Sequence, residues 1–409
     1  MRSVIFSAAV ALATGVSAAP AIQTATTQTS FADTLSYYLK GFQNPRIDTS
    51  TGGQATCISG AINVTASAKN FNFSMTAPVN QTELTQFLVN GISANSTSNK
   101  DLLVGLTNVT GSYGIYSQLC FPNNTTKLPS TVQFLTHGLG CDRSYWNLAP
   151  NYSYIDAAAE HGSTTFLYDR LGVGLSDHPD PIQIVQGGLE GIQIAIAHEL
   201  VQSLRAGDIA DHAFKHVVGV GHSYGSFQTH GVTRQHPKDF DAVVLTGFSK
   251  STAGMLPGFA AVDLTIASQE QPLRFADLPS GYVTGSGIQG TQFAFFHAPG
   301  FDPALLNLAE ATKQSITIGE YLSNPGFGNV TEFTGPIDVV NGEFDLMNCD
   351  GNCLYPDNLA ATFQAEFYPN ASNGSSWYLG PDSGHFLNHH YAAAGAYEHI
   401  QNFVKKNGF

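Results

Sequence analysis

Charged side chains are scarce in this sequence of 409 residues. Lys, Arg, Asp and Glu make up 12% of it, where a typical soluble domain has about 25%, and only 17 residues are Lys or Arg. The formal net charge is −14. Because nucleic acids and anionic membranes are bound through basic surfaces, this composition argues against both as partners.

Long hydrophobic runs are also missing, except at the N-terminus. Arg2 precedes an apolar stretch at residues 4–16, and the small residues Ser17, Ala18 and Ala19 follow it. The stretch is shorter than the ~20 residues of a membrane span, so it predicts a secretory signal peptide at residues 1–18. A buried N-terminal helix is the alternative. We therefore expect a soluble, secreted, extracellular protein with no transmembrane segment.

N-glycosylation sequons are numerous, which fits export. Seven of the eleven Asn-x-Ser/Thr sequences fall before residue 130. Glycans in this region would supply the hydration that charged side chains normally provide. The candidate sites are Asn63, Asn72, Asn80, Asn95, Asn108, Asn123, Asn124, Asn151, Asn329, Asn370 and Asn373.

The five cysteines fit an oxidising compartment. Cys349 and Cys353 are four residues apart, which places them within disulfide reach in a helical turn. Cys57 and Cys120 bracket much of the sequon-rich region and form the next candidate pair, so Cys141 is left over. A zinc site at Cys349 and Cys353 lacks a second pair of ligands at the usual spacing.

From about residue 130, short β-branched runs alternate with helical stretches, which is typical of βαβ units around a mostly parallel sheet. Each run ends in a loop rich in Gly, His, Asp or Ser, at the end of the strand where such sheets bind ligands. The predicted strands are residues 131–135, 164–168, 217–220, 242–245, 337–340 and 377–379.

Two further regions accompany this α/β core of residues 131–247 and 336–409. Residues 248–335 are too long for an ordinary connection and predict an inserted cap subdomain. Residues 19–130 predict an N-terminal extension that carries the first strands, at residues 58–66, 71–75 and 114–119. Within it, Asn80 and Glu83 are spaced as the capping pair of a helix.

The strongest local signal is the sequence Gly-His-Ser-Tyr-Gly at residues 221–225, which follows an apolar strand and opens a helical stretch. Glycines on both sides allow a sharp strand-to-helix turn that exposes the central hydroxyl. This context predicts Ser223 as a nucleophile, in preference to a glycine-rich turn with an incidental serine.

A serine nucleophile needs a base and an orienting carboxylate, and both follow it in the chain. Asp345 comes after the strand at residues 337–340, and His385 after the strand at residues 377–379. No carboxylate directly follows the strand at residues 242–245, which removes the other common position of the acid. We therefore predict a Ser223, Asp345, His385 triad in the expected order.

Other residues compete for these roles. Glu343 and Asp350 are the alternative carboxylates, and His389 and His390 are the alternative bases. The two histidines open the C-terminal helical stretch and lack the preceding glycine that frees His385 to present its ring.

An oxyanion hole needs two N–H donors. The backbone N–H of Tyr224, next after the nucleophile, supplies one of them. The other is expected from Leu139, in the sequence His-Gly-Leu-Gly at residues 137–140, which follows the first parallel strand.

With these motifs the chain resembles the α/β-hydrolase superfamily over residues 130–405, and within it secreted fungal serine hydrolases with a helical cap. Residues 169–176 also resemble the D-x-R-G-x-G-x-S stretch of that superfamily, with Leu171 where the pattern has glycine; this stretch is usually structural. The resemblance implies an eight-stranded, mostly parallel sheet flanked by helices, with a helical cap after strand six.

The predicted activity is hydrolysis of a carboxylic ester or lactone of a small, largely apolar molecule, with no cofactor and no metal. A serine peptidase or amidase could use the same triad, although secreted aminopeptidases of this fold often carry a Gly-Gly-Pro-Gly-type loop in place of residues 137–140. A non-catalytic ligand-binding protein is a further alternative. Apolar residues of the predicted cap favour an apolar substrate: Met255, Leu256, Phe293, Phe295, Phe296 and Phe301.

Overall fold

The computed structural model describes residues 36, 38–94, 96–123, 125–188, 190–323 and 328–409. The predicted signal peptide at residues 1–18 and the sequons at Asn95 and Asn124 lie outside the described residues.

The main sheet has nine strands in the described part of the chain, in the spatial order β1-β2-β3-β5-β4-β6-β7-β11-β12. The first three are antiparallel to their neighbours, and all later strands of this sheet run parallel to one another. The family pattern implied eight strands, and the ninth is β1, which extends the sheet at its N-terminal edge. The strands are β1 (Gln43–Thr49), β2 (Ala55–Phe73), β3 (Leu103–Pro122), β4 (Thr131–Thr136), β5 (Thr164–Tyr168), β6 (His216–His222), β7 (Ala242–Thr246), β11 (Ile337–Gly342) and β12 (Ser376–Gly380).

Both faces of the parallel part of the sheet are buried. Neighbouring residues point to opposite faces, so Val243 and Val244 of β7 pack into two different hydrophobic clusters. Helices cover the sheet, which is why its strands are continuous apolar runs. The described helices are α1 (Gln81–Ile92), α2 (Ser98–Leu102), α3 (Tyr154–Glu160), α4 (Ile192–Ala206), α5 (Tyr224–Gln235), α6 (Met255–Val262), α7 (Ala267–Glu270), α8 (Pro272–Phe275), α9 (Ile288–Phe295), α10 (Pro303–Thr312), α11 (Ile318–Leu322), α12 (Leu346–Cys349), α13 (Leu359–Phe367) and α14 (Ala393–Lys406).

Strands β2 and β3 form one long antiparallel ladder, from Ala55 opposite Pro122 to Phe73 opposite Leu103. The sequence predicted two strands at residues 58–66 and 71–75, but β2 is continuous. The apolar alternation breaks at Asn70, which nevertheless points inward. Its buried amide donates to the carbonyl oxygens of two residues after β5, Gln183 and Ile184, at 2.8 and 2.9 Å, so the polar side chain does not interrupt the strand.

The predicted cap region is not entirely helical. Besides helices α6 to α11, it contains a small antiparallel sheet of β8 (Leu264–Ile266), β9 (Tyr282–Gly285) and β10 (Ile316–Thr317). Helix α1 of the N-terminal extension is hydrogen-bonded to this sheet. The Gln81 side chain donates to Leu264 O and accepts from the Ile266 N–H. Helix α1 begins as predicted, with the Asn80 side chain accepting from the backbone N–H of Glu83 at 3.0 Å.

The two predicted disulfides, Cys57–Cys120 and Cys349–Cys353, are present, and Cys141 is a buried free thiol. Among the described helices, none has the length and apolar character needed to cross a membrane. The sequon asparagines that the structure describes are all exposed: Asn63, Asn72, Asn80, Asn108, Asn123, Asn151, Asn329, Asn370 and Asn373.

Candidate active site

Ser223 lies in the tight turn between β6 and α5, with φ 54° and ψ −119°. Its N–H donates to Thr246 O at 2.9 Å. The glycines two residues before and after it are required by close backbone contacts. A Cβ at Gly221 would lie 2.5 Å from the Cα of Ser226, and a Cβ at Gly225 would lie 2.1 Å from Thr136 O. The turn therefore holds a strained serine conformation whose hydroxyl projects from the end of the sheet.

The structure brings Ser223, His385 and Asp345 together in a chain of hydrogen bonds. Ser223 Oγ lies 2.7 Å from His385 Nε2, and His385 Nδ1 lies 2.8 Å from Asp345 Oδ2. A carboxylate only accepts, so Nδ1 carries the proton and Nε2 is free to accept the serine proton. This is the relay that a serine nucleophile needs.

Asp345 reaches His385 because it is the N-cap residue of the short helix α12. Its Oδ1 accepts from the Asn348 N–H at 2.9 Å, which leaves Oδ2 for the histidine. The side chain is completely buried. Of the alternative carboxylates, Asp350 is exposed and accepts instead from the Ser251 hydroxyl and the Gly254 N–H.

His390 does not act on Ser223 but holds the loop that carries His385. Its Nε2 accepts from the backbone N–H groups of Gly384 and His297 at 3.1 and 3.0 Å, and its Nδ1–H donates to Phe386 O at 2.8 Å. Burial lowers the pKa of His390 to about 4, so the ring stays neutral and can accept. Sequence reasoning considered this residue only as a rival base, because spacing alone does not reveal which backbone groups a ring will meet.

The other two histidines near the triad are also buried and neutral. Burial lowers the pKa of His389 to about 3, and its ring lines the cavity described below. The ring of His222 stacks on Tyr145 at a centroid distance of 4.2 Å, and burial holds its pKa well below the usual range. His222 thus packs beside Ser223 in the core.

The two predicted oxyanion donors lie on segments that meet at Ser223. A Cβ at Gly138 would lie 3.1 Å from Ser223 Cβ, so the loop that carries Leu139 packs directly against Ser223. Within the described residues, the N–H groups of Leu139 and Tyr224 donate to no protein acceptor. They are available for an anionic oxygen.

A cavity opens between the Leu139 loop and the cap region. The Phe295 ring of the cap borders it, stacks on Phe386 at 4.4 Å and lies 5.8 Å from the His385 ring. Its other apolar lining includes Leu148, Phe259, Val262, Leu264, Ala309 and Ile316.

Of the cap residues predicted to favour an apolar substrate, Phe295 is the one that reaches this cavity. Phe293 and Phe296 line a second cavity, which is bordered by His385. Met255 and Phe301 pack against the hydrophobic clusters, and Leu256 is exposed.

One cluster in the described residues could supply metal ligands, namely His198, His236 and Asp239. The His198 and His236 rings stack face to face at 3.7 Å, and His198 Nδ1 already lies 2.6 Å from Asp239 Oδ2. An ion shared by the two rings would lie outside both ring planes. Helix α5, about 18 Å long, also separates His236 from Ser223, so this cluster lies apart from the Ser223, His385 and Asp345 side chains.

Comparison with known proteins places the chain in a family. Residues 134–395 match the sequence profile of the alpha/beta hydrolase family, and since this is more than half of the chain, the protein belongs to that family. No match to the sequence was found among curated proteins.

Solved structures with a similar fold include two esterases and a lipase. An esterase from Thermogutta terrifontis is 14% identical, with 72% of this chain and 95% of that chain covered at a TM-score of 0.48. An esterase from Exiguobacterium antarcticum is 15% identical, with 72% of this chain and 96% of that chain covered at a TM-score of 0.47. A monoacylglycerol lipase from Paleococcus ferrophilus is 12% identical, with 72% of this chain and 99% of that chain covered, also at a TM-score of 0.47. At such identities the likeness concerns the fold alone.

Proposed function

We propose that the protein is a secreted serine hydrolase that cleaves a carboxylic ester or lactone of a small, largely apolar substrate. The observation that carries the proposal is the hydrogen-bonded chain from Ser223 Oγ through His385 to the buried Asp345. Such a chain activates a hydroxyl that is otherwise a weak nucleophile.

In the acylation half-reaction, Ser223 Oγ attacks the carbonyl carbon and its proton moves to His385 Nε2. Asp345 holds the ring in the required tautomer and stabilises the imidazolium that forms. The carbonyl oxygen becomes an oxyanion, which the N–H groups of Leu139 and Tyr224 stabilise. His385 then gives the proton to the leaving alkoxide, and the acyl group stays on Ser223.

In the deacylation half-reaction, His385 takes a proton from water, and the hydroxide attacks the acyl-enzyme at the same carbon. Collapse of the second oxyanion releases the carboxylic acid and returns the proton to Ser223. With a lactone, the alcohol and the acid leave as one hydroxy acid.

The cavity between the Leu139 loop and the cap supports an apolar substrate. It begins next to the proposed oxyanion donor, and much of its lining is aliphatic or aromatic. Apolar pockets with few polar groups bind ligands mainly through removal of apolar surface from water. We assign the acyl or ring portion of the substrate to this cavity.

Two disulfides and nine exposed sequon asparagines support the secreted location. Expression in a eukaryotic host with its own N-terminal segment tests this part. We expect glycosylated protein in the medium, detected by a drop in apparent mass after glycosidase treatment. Retention of unglycosylated protein inside the cell contradicts it.

The activity is tested with a fluorophosphonate probe and short p-nitrophenyl esters. Native wild-type protein should be labelled and should turn over the esters, whereas the Ser223→Ala variant and heat-denatured protein should do neither. A p-nitroanilide of the same acid separates esterase from amidase activity. Faster cleavage of the anilide favours a peptidase, and absence of both labelling and turnover favours a binding protein.

A further inference from the structure

A buried arginine lies directly beneath the Leu139 loop. Arg170 is fully buried at the start of the loop after β5, and its Nη2–H donates to Gly138 O at 3.2 Å. Its Nη1 pairs with Glu320 of α11 and donates to Gln193 Oε1 of α4 at 2.9 Å. Resemblance to the family gave the stretch around Arg170 only a structural role.

The carbonyl that Arg170 binds belongs to the same peptide unit as the Leu139 N–H. A peptide unit is planar and trans, so fixing the direction of its C=O also fixes the opposite direction of its N–H. A donor on the Gly138 oxygen therefore decides where the proposed oxyanion donor points. It opposes a flip that would aim the carbonyl oxygen at the anionic centre.

His137 supplies a second donor to the same oxygen. Its Nε2 faces the backbone N–H of Arg170 at 3.1 Å, and because that group can only donate, Nε2 accepts and the proton lies on Nδ1. Nδ1–H then donates to Gly138 O at 2.9 Å. Burial holds the pKa of His137 well below its usual range, which keeps this tautomer neutral. Gly138 O thus accepts one charged and one neutral hydrogen bond.

Arg170 also contacts the other donor segment. Its guanidinium carbon lies 4.9 Å from the centroid of the Tyr224 ring, the residue whose N–H is the second proposed donor. The carboxylate of Glu320 comes from the cap region and is held by the Thr317 N–H at 3.0 Å and by Gln193 Nε2 at 2.9 Å. Since Arg170 and Glu320 together are neutral, Arg170 acts on the oxyanion through the orientation of the peptide rather than through net charge.

We propose that Arg170 is a positioning residue for the oxyanion hole, which fixes the 138–139 peptide with its N–H toward the oxyanion, and that Glu320 anchors Arg170 from the cap. This inference rests on the proposed function. It predicts a loss in kcat rather than in KM, because the peptide N–H bonds to the substrate oxygen most strongly when that oxygen is anionic.

Two variants test the role. Arg170→Met combined with Glu320→Gln removes both charges and so avoids leaving an unpaired buried carboxylate. Arg170→Lys keeps a cation for Glu320, but a single ammonium lacks the fork that reaches Glu320 and Gly138 together. Arg205→Met is the control, since Arg205 also pairs with a carboxylate and donates to backbone carbonyls. Its partners Lys215 and Asp241 directly precede β6 and β7, whereas Leu139 follows the C-terminal end of β4, so the two sites lie at opposite ends of the parallel strands.

The measurements are kcat and KM on p-nitrophenyl butyrate and the inhibition constant of an alkyl trifluoromethyl ketone. Ser223 Oγ bonds to the ketone carbon, its proton goes to His385, and the ketone oxygen becomes an oxyanion. Fluorophosphonate titration to completion corrects for unfolded protein. We expect kcat to fall about 10- to 10²-fold, less than the ~10²–10³-fold cost of removing an oxyanion donor outright. The inhibition constant should rise in parallel, while KM changes less than about threefold.

The outcomes separate this inference from the proposed function. Variants that titrate fully but keep the kcat and the inhibition constant of the wild type refute the positioning role and leave the hydrolase intact. If the double variant does not fold, Arg170→Lys decides the question by the same criteria. A wild-type protein that is neither labelled nor active refutes the proposed function, and this inference with it.

Discussion

The Nε2 atom of His390 accepts a hydrogen bond from the backbone N–H of Gly384, 3.1 Å away and directly before His385. The same nitrogen accepts from the N–H of His297, in the segment after α9. The buried, neutral His390 ring is thus hydrogen-bonded both to the loop that carries the proposed base and to the cap region.

Replacing His390 tests whether this bond positions the base. His390→Ala removes the acceptor for both N–H groups, and His390→Gln offers a carbonyl oxygen in a similar place. We expect His390→Ala to lower kcat toward ester by up to ~10²-fold, because small displacements of a catalytic group are costly, and His390→Gln to recover part of the loss. Equal activity of the two variants, at matched folded fraction, would show that the acceptor is unimportant.

The proximity of Ser223, His385 and Asp345 was predictable because local backbone requirements and strand ends mark these positions. Only glycine fits at positions 221 and 225, because a Cβ on Gly221 or Gly225 would lie less than 3 Å from neighbouring backbone atoms. This requirement is visible in the sequence as the Gly-x-Ser-x-Gly motif. The parallel strands were predictable since both of their faces are buried, which gives continuous apolar runs. His385 and Asp345 then followed from their places at strand ends.

Contacts set by tertiary packing were not predictable. The cap strands β8 and β10 have three and two residues, too few to show a period, and were expected to be helical. The hydrogen bond between Arg170 and Gly138 O joins residues 32 positions apart, and it depends on how the loops after β4 and β5 pack against each other. The inward position of Asn70 could not be predicted, because it is stabilised by the carbonyl oxygens of residues more than 100 positions away in the sequence.

Asp345→Asn tests the orienting carboxylate. The amide can keep the hydrogen bond from the Asn348 N–H, so the variant should fold, but it no longer fixes the His385 tautomer or stabilises the imidazolium. We expect turnover to fall by at least ~10²-fold with little change in KM. Glu343→Gln and Asp350→Asn are the controls and should turn over like the wild type. Normal turnover in Asp345→Asn would transfer the role to one of these two residues.

Filling the cavity tests where the acyl group binds. Val262 lines the cavity from the end of α6, whereas Leu256 of the same helix is exposed. Val262→Phe should leave hydrolysis of p-nitrophenyl acetate nearly unchanged and lower kcat/KM for the octanoate by about 10-fold or more, since excluding even one methylene from an apolar pocket costs ~1–3 kcal/mol. Leu256→Phe should keep the wild-type chain-length profile. A uniform loss for all chain lengths in Val262→Phe would place the acyl group elsewhere.

The buried histidines should make the fold unstable in mild acid. Burial lowers the pKa of His390 and His230 to about 4 and that of His389 to about 3, while a histidine in the unfolded chain has a pKa near ~6.5. Between these values the unfolded state binds more protons, so the free energy of unfolding falls as the pH drops from ~6.5 toward 4.

Asp169 opposes this trend, because burial raises its pKa to about 6 and the folded state takes up a proton there. A comparison at one residue isolates the histidine contribution. Urea unfolding at several pH values between 7 and 4.5 should give a slope that is smaller in His390→Gln than in the wild type by up to ~1.4 kcal/mol per pH unit. The charged or titratable groups near the ring, His297 and Asp345, are present in both proteins and cancel to first order. Parallel pH profiles for the two proteins would mean that His390 takes up its proton in the folded state as readily as in the unfolded chain.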